Sequence, residues 1–437
     1  MSHLVGLSPS DFVGFLRKEK IRRFYLVYDP VQKKVKCSHP QLQPLAEFLE
    51  SDRRDFAGHE GLFFQVTEKH DTLQGAFVHR TCRGQAAGGV RYWTYDSVED
   101  YLRDGLRLAK GMTHKSALAG LWWGGGKGVM ARRPDVDAEN PEVRRYIYSE
   151  YGRFISSLHG CYVTAEDVGT TVADMANVFS RTRYTICVPE EWGGSGNPSV
   201  PTARGIVCAM EAALEYMEKG DLRGKVIAVQ GMGNVGGPLI RFLFEKGVRR
   251  IIACDINPRV VDSLRQELTG RDLVAQAISR GDEAIFREEC DIFSPNATGA
   301  ILNPRTIPQL RARIVCGAAN NQLEDPARDD SALFDRGIIY VPDFLANRMG
   351  IVNSADEQYG YVVNDPLVER HLSRDWEYSV FPTTLSVLRE SKATGEPTGR
   401  IAVRQAEKLS LEPHPIFGHR GRQIIDTLVA ERWHMST

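Results

Sequence analysis

The chain has 437 residues, which is enough for roughly two or three domains with large cores. Hydrophobic residues make up 42% and charged residues 25%, a composition typical of globular proteins. The 55 basic and 56 acidic side chains nearly cancel, so the charge indicates neither a nucleic acid nor an anionic membrane as a partner. Eight scattered cysteines form no C-x-x-C pair, and no signal peptide or membrane-length apolar run is apparent. We therefore expect a cytoplasmic protein with reduced thiols.

Short apolar runs dominate the first part of the chain, from about Phe24 to Val168. Runs such as "FYLVYD", "GLFFQV" and "GGVRYW" follow glycine or polar clusters and predict strands. One long helix is predicted between them, over "SVEDYLRDGLRLAKGMTHKSAL", with Ser97 as its N-cap and Asp100 three residues later.

From Thr202 onward the pattern changes to an alternation of strands and helices. A helix over "ARGIVCAMEAALEYMEKG" leads into the strand "KVIAVQ", the helix "PLIRFLFEKG" and the strand "IIACD". Such alternation predicts a Rossmann-type, doubly wound and mostly parallel sheet with helices on both faces, and hence an α/β protein. The Gly-, Pro- and Ser-rich stretch Gly193–Thr202 is the expected joint between the two parts.

A glycine fingerprint lies between the first strand and the next helix of this second part. In "QGMGNVG", Gly231, Gly233 and Gly236 flank Asn234 and Val235 in a G-x-G-x-x-G spacing. Such a loop turns tightly and lets the backbone approach a pyrophosphate at the helix N-terminus. The context of strand, loop and helix predicts a dinucleotide site.

Asp255 terminates the strand that follows the fingerprint. A carboxylate there accepts hydrogen bonds from a ribose diol and repels a 2′-phosphate, which predicts NAD as the cofactor. The alternative is that Asp255 only caps the loop between strand and helix. Arg259, four residues later, leaves NADP open as a second cofactor.

Lys115 continues an apolar stripe of the long predicted helix. Leu108, Met112 and Lys115 are spaced so that they share one helix face. The lysine then either extends its ammonium group into water or pairs, when buried, with an anion such as a substrate carboxylate.

Lys127 follows three glycines in "GGGKG", and no Walker pattern surrounds it. It is either a solvated loop lysine or a lysine in a closed cleft, where burial and the like charge of Lys115 would lower its pKa. Asp167, in "TAEDVGTT", is either a cap for a helix that starts near Thr170 or a carboxylate in the same cleft. A carboxylate beside a lysine makes an acid–base couple.

Several long motifs follow one another between about His59 and Arg400. They are "GGVRYWTYDSVEDYLRDGLRLAKGMTHKSALAGLWWGGGKGV", "YVTAEDVGTTVADM", "GSGNPSVPTARG", "VQGMGNVG", "GAANNQL" and "YVPDFLANRMGIVNSADE". Together they resemble the Glu/Leu/Phe/Val amino-acid dehydrogenases, and most closely their leucine dehydrogenase branch. The resemblance implies two domains around a cleft and a homo-oligomer, either dimer or octamer. Residues 1–197, completed by 358–437, would bind substrate and mediate oligomerisation, and residues 198–357 would bind NAD.

The resemblance also implies a reaction, the reversible oxidative deamination of an L-amino acid to the 2-oxo acid and ammonia. Lys115 would bind the substrate carboxylate, Lys127 would activate the attacking water, and Asp167 would shuttle protons. Glycines 124–126 would let the backbone approach the substrate closely. No metal site is expected. The further substrate-site residues implied are Gly88, Gly89, Met112, Ala87, Ala165, Ile351 and Ser354. The cofactor-site residues implied are Thr202, Gly231, Gly233, Asn234, Val235, Gly236, Asp255 and Asn320.

Ala87 suggests which side chain the substrate carries. Glutamate dehydrogenases of this family have a lysine at the matching position, which pairs with the substrate's side-chain carboxylate. Without it that carboxylate would be buried unpaired, so we expect a nonpolar substrate, branched aliphatic first and aromatic second. Ala165 and Ile351 keep the implied pocket apolar, and Ser354 adds one hydroxyl group.

One segment departs from the family pattern. Where the family usually has N-A-G-G, this chain has Asn347-Arg348-Met349-Gly350. The two bulky side chains could narrow the substrate site, bring a cation into it, or point away. Two alternatives therefore stay open, a glutamate dehydrogenase that uses Arg348 and an NAD-binding regulator of the same fold without catalysis.

Overall fold

The computed structural model describes residues 4–360 and 362–436. The predicted first domain also includes residues 1–3, 361 and 437, which lie outside the described residues. The strands are β1 Arg23–Asp29, β2 Lys34–Cys37, β3 Gly61–Val66, β4 Leu73–Arg80, β5 Ala86–Trp93, β6 Gly124–Ala131, β7 Tyr162–Glu166, β8 Val226–Gln230, β9 Arg250–Asp255, β10 Leu273–Ala277, β11 Ile292–Pro295, β12 Ile314–Val315 and β13 Ile339–Tyr340. The α-helices are α1 Pro9–Lys18, α2 Gln43–Ser51, α3 Val98–Leu118, α4 Pro141–Ser156, α5 Val172–Phe179, α6 Ser199–Tyr216, α7 Gly236–Glu245, α8 Pro258–Glu267, α9 Pro326–Asp335, α10 Asp343–Ala346, α11 Met349–Asp356, α12 Pro366–Arg370, α13 Val380–Thr394, α14 Thr398–Ser410 and α15 Arg420–Ala430. None of the helices within these described ranges combines the length and apolar character that crossing a bilayer requires.

The chain divides into two compact units by its internal contacts. Unit 1 comprises Met1–Asn197, Ser354–Tyr361 and Glu407–Thr437, and unit 2 comprises Pro198–Asn353 and Val362–Ala406. The boundary after Asn197 lies inside the stretch that the sequence marks as a joint. Residues 362–406, which we expected to complete the first domain, group with unit 2 instead.

Packing against α6 explains why residues 362–406 group with unit 2. Helix α13 buries Val380, Phe381 and Leu388, and it lies against α6. Arg204 of α6 also forms a bidentate ion pair with Glu369, at 2.5 and 2.6 Å. An amphipathic helix needs an apolar surface to bury its face, and α6 provides one because most of its residues are buried.

The sheet of unit 1 has seven strands in the order β2-β1-β3-β4-β6-β5-β7. Neighbours from β2 to β6 pair antiparallel, whereas β5 pairs in parallel with both β6 and β7. Helix α3 packs against β4 and β6. As predicted, Ser97 caps α3, and its hydroxyl accepts a hydrogen bond from the backbone N–H of Asp100 at 3.1 Å.

The sheet of unit 2 has six strands in the order β10-β9-β8-β11-β12-β13, and every neighbouring pair is parallel. This order confirms the predicted doubly wound α/β fold. Ile227, Ala228 and Val229 of the central strand β8 are fully buried, as a strand covered on both faces must be. The glycine loop comes directly after β8, and Asp255 is the last residue of β9. Because β8 and β9 are parallel neighbours, both features lie at the same edge of the sheet.

Candidate active site

Lys127 and Asp167 form a close ion pair within unit 1. Lys127 lies in the middle of β6, and Asp167 directly follows β7. The Lys127 Nζ atom is 2.9 Å from Asp167 Oδ2, and the two side chains are only 5% and 14% exposed. The two groups therefore form a nearly dry ion pair, and of the two alternatives for Lys127 the solvated loop lysine is excluded.

Arg91 is a second cation on the same carboxylate oxygen. Its Nε atom lies 3.1 Å from Asp167 Oδ2, and its Nη1 atom lies 3.0 Å from Asp104 Oδ1. The Tyr95 hydroxyl donates to Asp104 Oδ2 at 2.7 Å. Strand β5 and helix α3 thus both contribute to the cluster, which alternates positive and negative groups.

Burial and charge act in opposite directions on the pair. Burial lowers the pKa of the Lys127 ammonium below its usual value, against the opposing effect of Asp167, and Arg91 lowers it further. Burial alone would raise the pKa of Asp167, but the charges of Lys127 and Arg91 outweigh it and hold that pKa well below its usual range. The sequence pointed to Lys115 as a like charge near Lys127, which stays a prediction, and the structure adds Arg91 as a like charge that lowers the pKa of Lys127.

The structure excludes the alternative in which Asp167 caps a helix. Helix α5 begins at Val172, and its capping box consists of Thr171 and Asp174. Only the backbone of Asp167 takes part in the turn before it, where its N–H donates to Thr170 Oγ1 at 2.8 Å. The Asp167 carboxylate is directed at Lys127 and Arg91 instead.

The glycines near Lys127 let secondary-structure elements approach one another. A Cβ atom on Gly125 would overlap Thr113 of α3, and one on Gly88 would overlap the β6 backbone and lie 3.0 Å from Met112 Cγ. The protein's own atoms occupy the place that a side chain would take at both positions, and the approach of the substrate to these glycines stays a prediction. Helix α3 thus packs through Thr113 on the glycine-rich end of β6.

The residues that were predicted to line a pocket for the substrate side chain are divided between the two units. Ala87 on β5 and Ala165 on β7 are buried in unit 1. A Cβ atom on Gly89 would lie 2.8 Å from Asp167 Cβ, so this glycine borders the ion pair. Ser354, also in unit 1, is buried on α11, and Ile351 belongs to unit 2.

The glycine loop of unit 2 has the geometry that a pyrophosphate site needs. Gly231 has a φ of +92°, which favours glycine, and a Cβ atom on Gly236 would overlap the Gly231 carbonyl. A Cβ atom on Gly233 would meet nothing within 4 Å, so the backbone there is open. Val235, the N-cap of α7, makes no side-chain capping bond, and Asn234 precedes it in the loop. No side-chain cap therefore occupies the N-terminus of α7, where the Gly237 N–H donates to the Gly233 carbonyl at 2.9 Å.

Asp255 caps its own loop and also fixes the glycine loop. Its Oδ1 atom accepts from the Asn257 N–H at 2.8 Å, and its Oδ2 atom accepts from the Met232 N–H at 2.7 Å. The capping role considered as the alternative is thus present, but each carboxylate oxygen has a second lone pair for a ligand hydroxyl. Arg259 is exposed on the first turn of α8.

Two further cofactor-site predictions fall on α6 and on the loop after β12. Thr202 is buried on α6 and donates its hydroxyl to Pro198 O at 2.8 Å. Asn320 is exposed, and its Oδ1 atom accepts from Asn347 Nδ2 at 2.9 Å. Both residues belong to unit 2, together with the glycine loop.

Arg348 and Met349 point into the interior of unit 2. Arg348 is fully buried, and its Nη2 atom donates to Tyr378 O at 2.6 Å and to Thr383 Oγ1 at 3.0 Å. Burial lowers the pKa of its guanidinium to about 9. Met349 packs where a Cβ atom on Gly205 would be only 2.8 Å from its Cγ atom. Of the three possibilities named above, the structure shows the third, in which both bulky side chains point away from the predicted substrate site and pack inside unit 2.

Sequence reasoning missed Arg91, Asp104 and Glu357. Arg91 follows Gly89 by two positions on β5, so strand alternation puts it on the same face. Asp104 begins the helical stripe that continues through Leu108 to Met112. Glu357 accepts hydrogen bonds from the backbone N–H groups of Cys187 and Ser195, which are far away in sequence, and no local pattern indicates these contacts.

Comparisons with known proteins agree with this arrangement. The profile described as Glutamate/Leucine/Phenylalanine/Valine dehydrogenase matches residues 193–377, and the profile described as Glu/Leu/Phe/Val dehydrogenase, dimerisation domain, matches residues 63–184. Leucine dehydrogenase of Geobacillus stearothermophilus is 46% identical over 285 residues, 65% of this chain and 74% of the relative. Leucine dehydrogenase of Bacillus cereus is 41% identical over 359 residues, 79% of this chain and 92% of the relative.

A solved structure supports the same relationship. The crystal structure of L-tryptophan dehydrogenase from Nostoc punctiforme superposes with a TM-score of 0.66 at 31% identity, covering 84% of this chain and 98% of that one. The matched profiles account for most of the chain, and the Bacillus cereus relative is covered almost to its full length. The chain therefore belongs to the Glu/Leu/Phe/Val dehydrogenase family and is an amino-acid dehydrogenase of its leucine branch.

Proposed function

We propose that the chain catalyses the NAD⁺-dependent, reversible oxidative deamination of a nonpolar L-amino acid to the 2-oxo acid and ammonia. The observation that carries the proposal is the buried Lys127–Asp167 pair, 2.9 Å between Nζ and Oδ2, with Arg91 on the same oxygen. A regulator without catalysis would have no need for a desolvated ion pair, which costs free energy to bury. Perturbed, buried ionisable groups of this kind are typical of active sites.

Each charged group has a proposed task. Lys115, in the last turn of α3, binds the substrate carboxylate through a charge-assisted hydrogen bond. Lys127 takes a proton from the water that attacks the substrate imine, since burial makes its ammonium easier to deprotonate than that of an exposed lysine. Asp167 exchanges protons with Lys127 and with the departing amine. Arg91 keeps Asp167 ionised, so that it is ready to accept a proton.

The residues of unit 2 fit a dinucleotide. The open backbone at Gly233 and the uncapped start of α7 offer N–H donors to a pyrophosphate, and Asp255 offers acceptors to a ribose diol. The negative charge of Asp255 disfavours a 2′-phosphate, which supports NAD over NADP. When bound, the nicotinamide accepts the hydride from the substrate Cα, and Thr202 and Asn320 are the residues proposed to orient it.

The substrate side chain is proposed to be nonpolar, branched aliphatic first and aromatic second. Ala87 and Ala165 are small and buried, and Ile351 is apolar, so these residues supply no cation for an acidic side chain. Arg348 was the remaining candidate for such a cation, and its guanidinium donates to Tyr378 and Thr383 inside unit 2. This arrangement argues against glutamate as the substrate, because its side-chain carboxylate would be buried unpaired. The enzyme is also proposed to act as a homo-oligomer, which the match of residues 63–184 to a profile described as a dimerisation domain supports.

A substrate screen tests the proposal directly. Purified protein is assayed for NADH and NADPH formation with each L-amino acid and either NAD⁺ or NADP⁺. We expect the highest kcat/KM with NAD⁺ and leucine, valine or isoleucine, and weaker activity with phenylalanine or tryptophan. Faster oxidation of L-glutamate would contradict the substrate assignment, a preference for NADP⁺ would contradict the cofactor assignment, and inactivity with every amino acid would favour the regulator.

A further inference from the structure

The last turn of α3 is held by two side-chain contacts within unit 1. The Thr113 hydroxyl lies 2.7 Å from His79 Nδ1 on β4, and His114 Nε2 lies 2.8 Å from Glu407 Oε1. Both histidines are nearly fully buried, at 1% and 4% exposure. Lys115, the proposed partner of the substrate carboxylate, is the next residue of this turn. The two contacts therefore help to set the position of the Lys115 backbone.

Glu407 comes from the C-terminal part of the chain. It lies near the end of α14, where the chain returns to unit 1, and beyond the profile match at residues 193–377. Its Oε2 atom accepts from Arg80 Nη1 at 2.6 Å, and Arg80 also donates to Ser410 Oγ at 2.5 Å. The Glu407 carboxylate thus joins the end of β4 to the last turn of α3.

The Glu407 carboxylate is ionised and accepts hydrogen bonds only. The bonds from His114 and Arg80 outweigh burial and lower the pKa of Glu407 to about 2. An ionised carboxylate has no proton to donate, so His114 Nε2 carries the hydrogen of the bond that the two residues share. Hydrogen bonds to an ionised acceptor are shorter and stronger than neutral ones, which suits a contact that fixes geometry.

Glu412 is a second carboxylate of the same C-terminal segment, and its contact is placed elsewhere. It pairs with Arg83, as Glu407 pairs with Arg80. The Arg83 guanidinium also donates to Leu121 O at 3.0 Å, in the loop after α3. The two carboxylates therefore distinguish attachment of the C-terminal segment from the contact with the last turn of α3.

We propose that Glu407 is a positioning residue for substrate binding, which holds Lys115 in place through its hydrogen bond to His114. Without Glu407 the end of α3 would open more readily, because the terminal turns of a helix are its least stable part. Lys115 would then spend less time where its ammonium group meets the substrate carboxylate. The inference rests on the proposed function, because Lys115 binds substrate only if that function is right.

Glu407→Ala tests the proposal by steady-state kinetics with L-leucine, or the best substrate of the screen, and NAD⁺. We expect the KM for the amino acid to rise about tenfold, while kcat and the KM for NAD⁺ stay within about twofold of the wild type. Glu412→Ala is the matched control and should leave all three constants within about twofold of the wild type. An equal rise of the amino-acid KM in both variants would overturn the proposal.

A double variant shows whether Glu407 acts through Lys115. Once Lys115→Ala has been made there is no ammonium group to position, so adding Glu407→Ala should raise the amino-acid KM by less than about twofold. A merely structural role would lower the Tm and raise this KM by the same factor whether or not Lys115 is present. That outcome would refute the positioning role.

Two variants of His114 test the same bond from its other side, and they decide the matter even if Glu407→Ala does not fold. His114→Gln keeps an N–H donor close to the place of Nε2, so its amino-acid KM should stay within about threefold of the wild type. His114→Phe fills the space without a donor and should match Glu407→Ala. Equal KM values for the two His114 variants would contradict the proposal.

The inference and the proposed function fail in different ways. If Lys115→Ala raises the amino-acid KM but Glu407→Ala leaves it unchanged, the positioning role is wrong and the proposed function stands. If Lys115→Ala leaves this KM unchanged as well, the role proposed for Lys115 is wrong, and the positioning role falls with it. If the wild type oxidises no amino acid, the proposed function itself is wrong.

Discussion

Asp167 in unit 1 and Asp255 in unit 2 each stand at the carboxyl end of a parallel strand, yet their surroundings differ completely. Asp167 meets two side-chain cations, Lys127 and Arg91, on a single oxygen. Asp255 meets two backbone N–H groups, those of Met232 and Asn257, one on each oxygen. The same residue type at the same kind of position is thus held by charges in one unit and by the backbone in the other.

The proposed roles of the two carboxylates differ accordingly, with proton transfer for Asp167 and ligand recognition for Asp255. A cation that can lose a proton, such as Lys127, and the Asp167 carboxylate change each other's pKa, and we propose that the pair transfers protons. The two backbone N–H groups fix Asp255 in the glycine loop, and its proposed role is to present hydrogen-bond acceptors and charge to a ligand. Variants in the two clusters should therefore affect different kinetic constants.

Lys127→Ala should have the largest effect, because it removes the group that exchanges protons with Asp167. We expect kcat to fall by about 10²–10⁴-fold, the usual value of a general acid–base group. NADH binding, followed by fluorescence titration, should stay within about threefold of the wild type, since unit 2 is unchanged. Lys127→Arg, which keeps the charge but does not release its proton, should be similarly inactive. More than a tenth of wild-type turnover in either variant would contradict a role in proton transfer.

Lys115→Ala should act mainly on KM. The loss of one charge-assisted hydrogen bond to the substrate carboxylate should raise the KM for the amino acid by about 10–100-fold. The KM for NAD⁺ should change far less and serves as the internal control. Steady-state kinetics with each substrate varied in turn measure both constants, and an unchanged amino-acid KM would count against the assignment.

Arg91→Met should move the acid limb of the pH–rate profile. Lys127 must lose its proton before it can take one from water, and Arg91 lowers the pKa of its ammonium, so losing Arg91 raises that pKa and shifts the acid limb upward by roughly one pH unit. Arg91 and Lys127 also hold the pKa of Asp167 below its usual range. Because the folded pKa is depressed, the stability that Asp167 contributes is present above the unfolded value, about 4, and is lost as the pH falls through the folded value. The variant should therefore lose less stability on acidification below pH 4, as thermal melts at several pH values would show.

Two further variants keep the Arg91 prediction specific. Arg91→Lys retains a cation and should move the limb less than Arg91→Met. Burial, together with the charges of Asp167 and Asp174, raises the pKa of Glu166 to about 7, so Glu166 also titrates near neutral pH. If Glu166→Gln abolishes the acid limb while Arg91→Met leaves it in place, the limb belongs to Glu166 and the prediction for Lys127 is wrong.

Asp255→Ala should have the smallest effect and should leave proton transfer intact. We expect the preference for NAD⁺ over NADP⁺, as a ratio of kcat/KM, to fall about tenfold, because ribose hydrogen bonds and charge repulsion are both lost. Asp255→Asn keeps an acceptor but no charge, and its intermediate ratio would separate the two contributions. A shifted pH–rate profile in either variant would contradict the separation of the two clusters.

The sequence by itself determined the elements whose signals are local. The period of Leu108, Met112 and Lys115 predicted α3, Ser97 predicted its cap, and the strand–helix alternation predicted the parallel sheet of unit 2. The glycine fingerprint and Asp255 were predictable because one short strand–loop–helix segment contains the whole pattern. Backbone preference and hydrophobic periodicity act over a few residues, so these features are legible without a structure.

Only the tertiary structure decided which distant groups meet. Arg91 and Asp167 are neighbours because β5 and β7 pair in parallel. No sequence pattern around Arg91 predicts which carboxylate it contacts. The Arg348 side chain lies inside unit 2 because it donates hydrogen bonds to Tyr378 O and Thr383 Oγ1 there. Residues 362–406 group with unit 2 because α13 packs against α6. Such contacts join residues far apart in the chain, and their free energy depends on burial and geometry that arise only once the chain has folded.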